Sequence, residues 1–394
     1  MEIIYPANIR FPMERANSIQ VVNTCHALAR LGVKTHLLVR RMDGRSEAAC
    51  LAYYGLAPHQ NLIIHRLPAL NTHGSEWLWN RSFQFLAVSY IIALGMRRDV
   101  KAIFLRETGL ARLLIKLRPI IRADIVFEMH TLEHLVKRCY SELMSDAGPL
   151  HNREEEAIRA KEQLICRNAD GIVCISESLR GIVERELGAL RRCAVIHDAA
   201  SGPPPDVNLA GKRSGVVYVG QLYPWKGVDV LIHAMKEVDG KLTIVGGLPY
   251  ENDRVRLEKL ASDLGVRARA AFVGFVPPSA VARHLARARV AVLPLPDNVM
   301  SRHFTSPLKL FEYMSHGAAI VASDLPTIRE VLTDGENAIL VRPEDPSALA
   351  EGINRLLGDA ALADRLAEAA RREAQKYTWE ARGRKIVEFL GSLS

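Results

Sequence analysis

The stretch Ser306-Pro307-Leu308-Lys309-Leu310-Phe311-Glu312-Tyr313-Met314 stands between two apolar runs, at residues 290–295 and 319–323. Each run has the length and composition of a buried parallel strand. The stretch between them predicts a short helix, with Ser306 as its N-cap and Pro307 in its first turn. A strand, a helix and a second strand in this order predict an α/β fold built on a parallel sheet.

Lys309 is unusual in the first turn of that helix, because a cation there opposes the helix dipole by about 0.3–1 kcal/mol. An anion bound at the helix start removes this mismatch, since the free backbone N–H groups and the lysine both attract it. Glu312, one turn further on, is placed to accept hydrogen bonds from sugar hydroxyls. The pattern predicts a site for a nucleotide-sugar diphosphate. The alternative is an ordinary amphipathic helix with a solvated Lys309.

A second stretch has the same character. A strand at residues 216–219 leads through Gly220 into Gln221-Leu222-Tyr223-Pro224-Trp225-Lys226-Gly227, and a helix is predicted from Val228. Ligands of open parallel sheets bind beyond the carboxyl ends of the strands. The same rule selects two further loops of this half of the chain as donor-binding candidates, with Gly246, Gly247, Gly274 and Phe275.

Together the two stretches resemble the retaining glycosyltransferases of family 4, which have the GT-B fold. In that family the first loop usually reads Gly-Arg-…-Lys-Gly, and its arginine and lysine hold the donor diphosphate. Lys226 matches the lysine, whereas Gln221 stands at the arginine position. Of the family's two motif glutamates, Glu312 matches the second and Phe304 stands at the first. The pattern Ser-Pro-Leu-Lys-Leu-Phe-Glu-Tyr-Met is similar to that of some bacterial members.

The alternation of strands and helices predicts two doubly wound Rossmann-like domains. We expect a first domain at 1–200, a linker at 201–213 that contains Ser201-Gly202-Pro203-Pro204-Pro205-Asp206, and a second domain at 214–376. The resemblance implies that the second domain binds the nucleotide sugar and the first binds the acceptor, facing it across a cleft. It also implies that a last helix, at 377–394, crosses back to the first domain.

Composition favours a soluble globular protein, and the cysteines favour a reducing cytosol. Of the 394 residues, 48% are hydrophobic and 24% are charged. We expect no secretory leader, since a strand begins at once. The longest uncharged run, from Ser82 to Met96, is shorter than the roughly 20 apolar residues of a membrane span. Six cysteines without metal-ligand spacing predict free thiols in a reducing compartment.

The net charge of +8 is concentrated in part between residues 97 and 122, with eight basic residues against Asp99 and Glu107. Just before it, Glu76-Trp77-Leu78-Trp79 opens a segment with further aromatic residues. This neighbourhood predicts docking on the anionic inner face of the membrane and a lipid-linked or membrane-proximal acceptor. A core helix followed by solvated arginines is the alternative. Nucleic acid is disfavoured as a partner, because no aromatic platform is interleaved with the basic residues.

Four residues of the first domain are candidates for the site. The resemblance implies that His130, after the strand at 124–129, contacts the donor sugar near the reaction centre; a structural histidine is the alternative. Glu14 and Arg15 lie in the first strand-to-helix loop, where the family often has glycines that this chain lacks. Arg106 follows another strand. These last three are speculative acceptor-side residues.

The sequence His130-Thr131-Leu132-Glu133-His134 also spells the inverted zinc-protease motif. That motif needs both histidines on one helical face, yet His130 directly follows a strand, which disfavours a protease. No Asp-x-Asp metal motif occurs in the chain.

We therefore expect a retaining glycosyltransferase that needs no metal or cofactor and uses a UDP- or GDP-sugar, in bacterial polysaccharide or glycolipid synthesis. A sugar-nucleotide epimerase of the same fold and a non-catalytic nucleotide-sugar binding protein are the alternatives. The expected catalytic residues are His130, Lys226 and Glu312. The expected donor-binding residues are Gln221, Lys226, Gly246, Gly247, Gly274, Phe275, Ser306, Pro307, Leu308, Lys309 and Glu312.

Overall fold

The computed structural model describes residues 1–41, 44–68, 76–96, 99–143, 152–203, 213–247 and 252–393. The chain divides into two compact units, Met1–His197 with Trp379–Ser394, and Asp198–Thr378. Arg97 and Arg98 of the basic cluster, and most of the predicted linker at 201–213, lie outside the described residues.

The first unit is built on seven parallel strands in the order β3-β2-β1-β4-β5-β6-β7. The strands are β1 (Glu2–Arg10), β2 (Lys34–Arg40), β3 (Leu62–Leu67), β4 (Ala102–Leu105), β5 (Asp124–Met129), β6 (Gly171–Cys174) and β7 (Cys193–Val195). The helices between them are α1 (Ala16–Arg30), α2 (Glu47–Tyr53), α3 (Glu76–Gly95), α4 (Thr108–Lys116), α5 (Glu133–Leu143), α6 (Asn152–Asn168) and α7 (Glu177–Leu187).

The second unit has six parallel strands in the order β10-β9-β8-β11-β12-β13. They are β8 (Val216–Val219), β9 (Leu242–Val245), β10 (Ala270–Gly274), β11 (Val290–Leu293), β12 (Ala319–Ser323) and β13 (Ile339–Val341). Its helices are α8 (Val228–Ala234), α9 (Asp253–Asp263), α10 (Pro278–Arg287), α11 (Val299–His303), α12 (Leu308–Ser315), α13 (Pro326–Arg329), α14 (Pro346–Gly358) and α15 (Ala360–Glu373).

The last helix, α16 (Trp379–Ser392), belongs to the first unit and packs against α1. This confirms the predicted return of the C-terminal helix, and the two parallel sheets confirm the predicted fold class. The part of the chain that the structure describes contains no helix long and apolar enough to cross a membrane.

The central strands are buried on both faces, as parallel sheets covered by helices require. All four residues of β11 are buried, and the strand ends at Leu293 because Pro294 has no N–H to continue the ladder. In each sheet the strand order reverses once, between β1 and β4 and between β8 and β11. Such a reversal opens a crevice beyond the carboxyl ends of the strands, which is where open α/β sheets bind ligands.

Candidate active site

The loop after β8 lies at the strand-order reversal of the second unit. It holds a short 3-10 turn that ends at Lys226, followed by Gly227 at the start of α8. Gly227 has a φ of 70°, and a Cβ there would lie 1.7 Å from the carbonyl oxygen of Pro294. Only glycine fits a backbone that approaches so closely. The loop that carries Lys226 is thereby held against the end of β11.

Lys309, in the first turn of α12, is fixed by a residue that sequence reasoning missed. Its Nζ donates a hydrogen bond to Tyr218 Oη at 2.8 Å and lies 4.0 Å from the centre of the Tyr218 ring. Tyr218 Oη in turn donates to the Gln221 carbonyl oxygen at 2.7 Å. The ammonium therefore lies against the backbone of the Lys226 loop, and the two predicted anion-receptive stretches form one site.

Tyr313 is a second residue that the motif analysis passed over. Its Oη accepts a hydrogen bond from the Val219 N–H at 2.9 Å, and its ring is fully buried. Helix α12 is thus attached to the end of β8 through Tyr313 as well as through Lys309. In the sequence, Tyr218 stands out within an otherwise aliphatic strand. Because a buried tyrosine hydroxyl needs a hydrogen-bond partner, this residue could have indicated a polar contact at the end of β8.

The electrostatics of this site favour an anion. Burial lowers the pKa of Lys226. Burial and the neighbouring Lys226 hold the pKa of Lys309 well below its usual range. Burial raises the pKa of Glu312 to about 7, although Lys309 opposes the rise. Two half-buried cations near one another are stabilised by a bound anion of two or more charges, such as a diphosphate.

The prediction that Ser306 is the N-cap of α12 was wrong. The helix begins at Leu308 with Pro307 as its N-cap, and no side chain caps it. Ser306 Oγ instead accepts a hydrogen bond from the backbone N–H of Asp198 at 3.0 Å. Because no side chain occupies the first N–H groups of α12, the helix start beside Lys309 is still suited to an anion.

The other predicted donor-binding residues lie at the same edge of the second sheet. Gly246 follows β9, has a φ of 129° and would place a Cβ 1.9 Å from the Gly220 carbonyl oxygen. Its N–H donates to the carbonyl oxygen of Gly274, the last residue of β10. Gly247 and the half-buried Phe275 follow Gly246 and Gly274 directly.

In the first unit, His130 follows β5 and its Nε2 lies 3.3 Å from Glu128 Oε2. Glu128 is fully buried and also accepts hydrogen bonds from Tyr5 Oη and Gln20 Nε2, both at 2.9 Å. The α16 residue Arg382 donates to the same carboxylate. A carboxylate that binds one imidazole nitrogen sets the ring orientation and leaves the other nitrogen for a ligand.

The three speculative acceptor-side residues differ in their surroundings. Glu14 and Arg15 are exposed in the loop before α1. Arg106 follows β4 and donates from Nη1 to Gln20 Oε1 at 3.1 Å, close to the carboxylate of Glu128. The structure therefore brings Arg106 and His130 to one carboxylate, and leaves Glu14 and Arg15 apart from that network.

The zinc-protease interpretation does not fit the local geometry. Helix α5 begins at Glu133, so His130 precedes it. His134 is buried and its Nδ1 pairs with Glu162 of α6. Among the described residues, no group of three or more histidine, cysteine or acidic side chains is arranged to hold a metal ion.

Two doubly wound domains in one chain are typical of the GT-B class of nucleotide-binding folds. In this chain Lys226 lies in the loop at the strand-order reversal of the second domain. Solved structures agree. Sucrose-phosphate synthase from Thermosynechococcus elongatus superposes with a TM-score of 0.80 at 22% identity, over 100% of this chain and 98% of that chain. HepE from Anabaena, in complex with UDP and glucose, superposes with a TM-score of 0.71 at 18% identity, over 99% of each chain.

Residues 18–199 match the family model described as Glycosyltransferase Family 4, and residues 213–359 match Glycosyl transferases group 1. The chain belongs to the GT-B glycosyltransferases. It is 27% identical to a D-inositol 3-phosphate glycosyltransferase of Corynebacterium urealyticum, over 97% of this chain and 93% of the relative. It is 30% identical to a GDP-mannose-dependent alpha-(1-6)-phosphatidylinositol monomannoside mannosyltransferase of Mycolicibacterium smegmatis, over 46% of this chain and 48% of that protein.

The raised pKa of Glu312 predicts a pH dependence of stability. The folded value of about 7 exceeds the ordinary value of 4.5, so the folded state binds more protons between these values. The contribution of Glu312 to the free energy of unfolding is therefore full below pH 4.5 and decreases as the pH rises towards 7. We expect Glu312→Gln to flatten this part of the pH profile in urea unfolding. An unchanged difference between pH 5 and pH 8 would contradict the assignment.

Proposed function

We propose that the protein transfers a sugar from a UDP- or GDP-sugar to an acceptor with retention of anomeric configuration. The observation that carries the proposal is the convergence of Lys226, Lys309 and Glu312 at the strand-order reversal of the second unit. HepE, which has the same fold, is described in complex with UDP, and the mycobacterial relative is described as GDP-mannose-dependent. Both descriptions support a nucleoside-diphosphate sugar as the donor.

The proposed roles follow from the charges. Negative charge grows on the leaving diphosphate as the glycosidic bond to it breaks, and Lys226, Lys309 and the free N–H groups at the start of α12 stabilise that charge. Glu312 orients the ribose or the sugar through its hydroxyls. His130, held by Glu128, contacts the donor sugar. Gln221 occupies the loop position of the family's arginine and contributes no charge, so the two lysines carry the whole cationic contribution from these two stretches.

The donor is tested by titrating nucleoside diphosphates against thermal unfolding. A ligand at 100 times its dissociation constant adds about 2.7 kcal/mol to the free energy of unfolding. We expect UDP or GDP to produce a shift of this size in the wild type and a smaller one in Lys226→Ala. If no nucleoside diphosphate shifts the unfolding temperature, the proposed function fails.

We further propose that turnover needs no metal ion. Lys226 and Lys309 supply positive charge at the place where other glycosyltransferases use a divalent cation, and the sequence lacks an Asp-x-Asp motif. We expect transfer to continue at an unchanged rate in excess EDTA, measured as nucleotide release. Loss of activity in EDTA that Mn²⁺ or Mg²⁺ restores would contradict metal independence and leave the donor assignment intact.

We place the enzyme in the cytoplasm, in bacterial polysaccharide or glycolipid synthesis, with the first unit docked on the inner membrane face. Helix α3 supports this docking. Trp77 and Phe85 are 65% and 70% exposed and lie eight residues apart, within one broad stripe of the helix surface. Lys116 and Arg122, from the basic cluster, are also exposed. Exposed aromatic side chains and exposed cations are both features of proteins that bind an anionic membrane surface.

Sedimentation with anionic vesicles tests this docking. Each basic residue near an anionic surface contributes about 1 kcal/mol, so Lys116→Glu with Arg122→Glu is expected to weaken binding at least tenfold at low salt. Trp77→Ser with Phe85→Ser is expected to do the same. Val255→Ser, which removes a 70% exposed apolar side chain from the second unit, is the control. Equal binding by all four proteins would remove the membrane from the proposal.

A further inference from the structure

Basic side chains lie at both edges of the sheet in the first unit, and the two edges differ in whether a carboxylate lies close to them. At the amino edge, where the strands begin, the two lysines lie near carboxylates. Lys34 Nζ lies 3.9 Å from a Glu2 carboxylate oxygen, and Lys101 Nζ lies 2.8 Å from Asp124 Oδ2. Each of these two lysines therefore has a carboxylate close to its ammonium group.

At the carboxyl edge, three adjacent strands carry an arginine at or next to their last residue. Arg10 is the last residue of β1 and lies directly opposite Arg40, the last residue of β2. Arg66 of β3 lies opposite Val39. Strands are about 4.8 Å apart, so these arginines occupy two strand spacings. None of the three has a carboxylate within ion-pair distance among the described residues.

Arg40 shows how strongly positive this edge is. Only 1% of it is exposed, and its guanidinium lies 3.8 Å from the centre of the Trp79 ring, while that of Arg10 lies 5.2 Å from the same ring. Arg40 Nε donates to Asn8 Oδ1 at 2.6 Å. Burial, with Arg10 adding to it and Glu107 opposing it, lowers the pKa of Arg40 to about 10. Arg40 also donates to the Trp79 carbonyl oxygen and lies over the Phe83 ring, so hydrogen bonds and aromatic rings compensate this cation in place of a carboxylate.

The neighbouring loops add to the positive charge. Arg15, in the loop after β1, and Arg41, directly after β2, are both exposed. Glu14 is exposed in these loops, and Glu47, which follows the loop after β2, lies near Arg66. Burial raises the pKa of Glu47 and of Glu107, so the charge of each is disfavoured. All the cations of this edge are arginines, and the two lysines of residues 1–110, Lys34 and Lys101, lie at the amino edge.

We infer that this edge binds a phosphate group carried by the acceptor. The inference rests on the proposed glycosyl transfer. The planar fork of arginine pairs with two phosphate oxygens at once, which lysine does not do. Unneutralised arginines at the edge where α/β sheets bind ligands are therefore suited to a phosphate ester. The donor diphosphate already has Lys226 and Lys309 in the second unit, so the ligand of this edge is the other substrate.

Direct binding is tested with inorganic phosphate. Calorimetry uses the Lys226→Ala protein, whose donor loop is weakened, with and without the changes Arg10→Gln, Arg15→Gln and Arg41→Gln. All three arginines are exposed, and their loss is not expected to unfold the protein. We expect at least tenfold weaker phosphate binding. A matched control removes three exposed arginines elsewhere in the first unit, Arg167, Arg191 and Arg384, and is expected to change binding less than twofold. Equal losses in the two triple variants, or no phosphate binding, would overturn the inference.

Transfer assays then separate the sources of the phosphate. Acceptors are offered as matched pairs, myo-inositol with an inositol phosphate and a hexose with its 6-phosphate, beside vesicles that contain phosphatidylinositol. We expect transfer to a phosphate-bearing member alone, with its KM raised at least tenfold in the Arg10, Arg15 and Arg41 triple variant and UDP or GDP affinity unchanged. Transfer to a soluble phosphate assigns a water-soluble acceptor, and transfer to vesicles alone assigns a lipid.

Two other outcomes keep the proposals apart. If the triple variant loses UDP or GDP affinity instead of acceptor KM, the edge serves the donor diphosphate and the inference is overturned. If no nucleoside diphosphate binds the wild type, the proposed function fails, while the calorimetric comparison with inorganic phosphate still decides whether the arginines bind this anion.

Discussion

Replacing Lys226 with alanine is expected to lower turnover by about 10²–10³-fold, the scale for removing one group that stabilises developing charge. Lys226 is half-buried at the end of the loop after β8, and burial lowers its pKa, so a bound anion meets it with little intervening water. The change deletes one of the two cations proposed to face the leaving diphosphate. Turnover is measured as nucleotide release at saturating donor.

The same loss is expected for Glu312→Ala, which removes the carboxylate proposed to orient the donor. Two exposed residues of the same unit serve as matched controls. Lys236→Ala and Glu351→Ala remove the same side chains from surface positions and are expected to leave turnover within twofold. Turnover close to the wild-type rate in Lys226→Ala, with the fold intact by circular dichroism, would remove that lysine from the site.

Arg382→Ala is expected to lower the free energy of unfolding by about 3–5 kcal/mol, because it leaves a buried carboxylate without its cation. Glu128 and Arg382 are both almost completely inaccessible. Burial alone raises the pKa of Glu128, but Arg382, His130 and Arg106 hold it well below its usual range. Arg382 also donates from Nη1 to the carbonyl oxygens of Ile196 and His197 at 2.8 and 2.6 Å.

Urea unfolding measures this loss. Arg384→Ala is the control, because Arg384 is exposed on the same helix two residues further on, and surface substitutions change stability by about 0.5 kcal/mol at most. A double variant, Arg382→Ala with Glu128→Gln, is expected to be less destabilised than the sum of its single changes, since removing both charges leaves neither unpaired. Arg382→Ala with wild-type stability would show that α16 is not secured by this pair.

The network around Glu128 also explains why the chain returns to its first unit. Glu128 lies at the end of β5, and the side chain that neutralises it comes from α16, 254 residues later. The same carboxylate holds His130, so the last helix of the chain contributes to the position of a proposed catalytic side chain. No local pattern of apolar residues predicts that Arg382 pairs with Glu128.

Local patterns predicted the secondary structure well. Strands β5 and β8 have the predicted bounds, and β11 ends at Leu293, two residues before the end of the predicted run at 290–295. Burial on both faces makes such strands continuous in sequence, so composition alone identifies them. The predicted N-cap Ser306 failed for a tertiary reason, because its hydroxyl accepts the Asp198 N–H, which no neighbour of α12 in sequence reveals.

The sequence by itself determined the α/β class, the return of the C-terminal helix through the family resemblance, and the two stretches that carry Lys226, Lys309 and Glu312. The periodicity of apolar residues and the position of a residue at the end of a strand are local properties, so they can be predicted from neighbouring residues in the sequence. Only the tertiary structure decided that Tyr218 fixes Lys309, that Arg382 neutralises Glu128, and that Arg10 and Arg40 meet over Trp79. These contacts join residues far apart in the chain, and they depend on strand order and register, which the packing of the whole sheet sets.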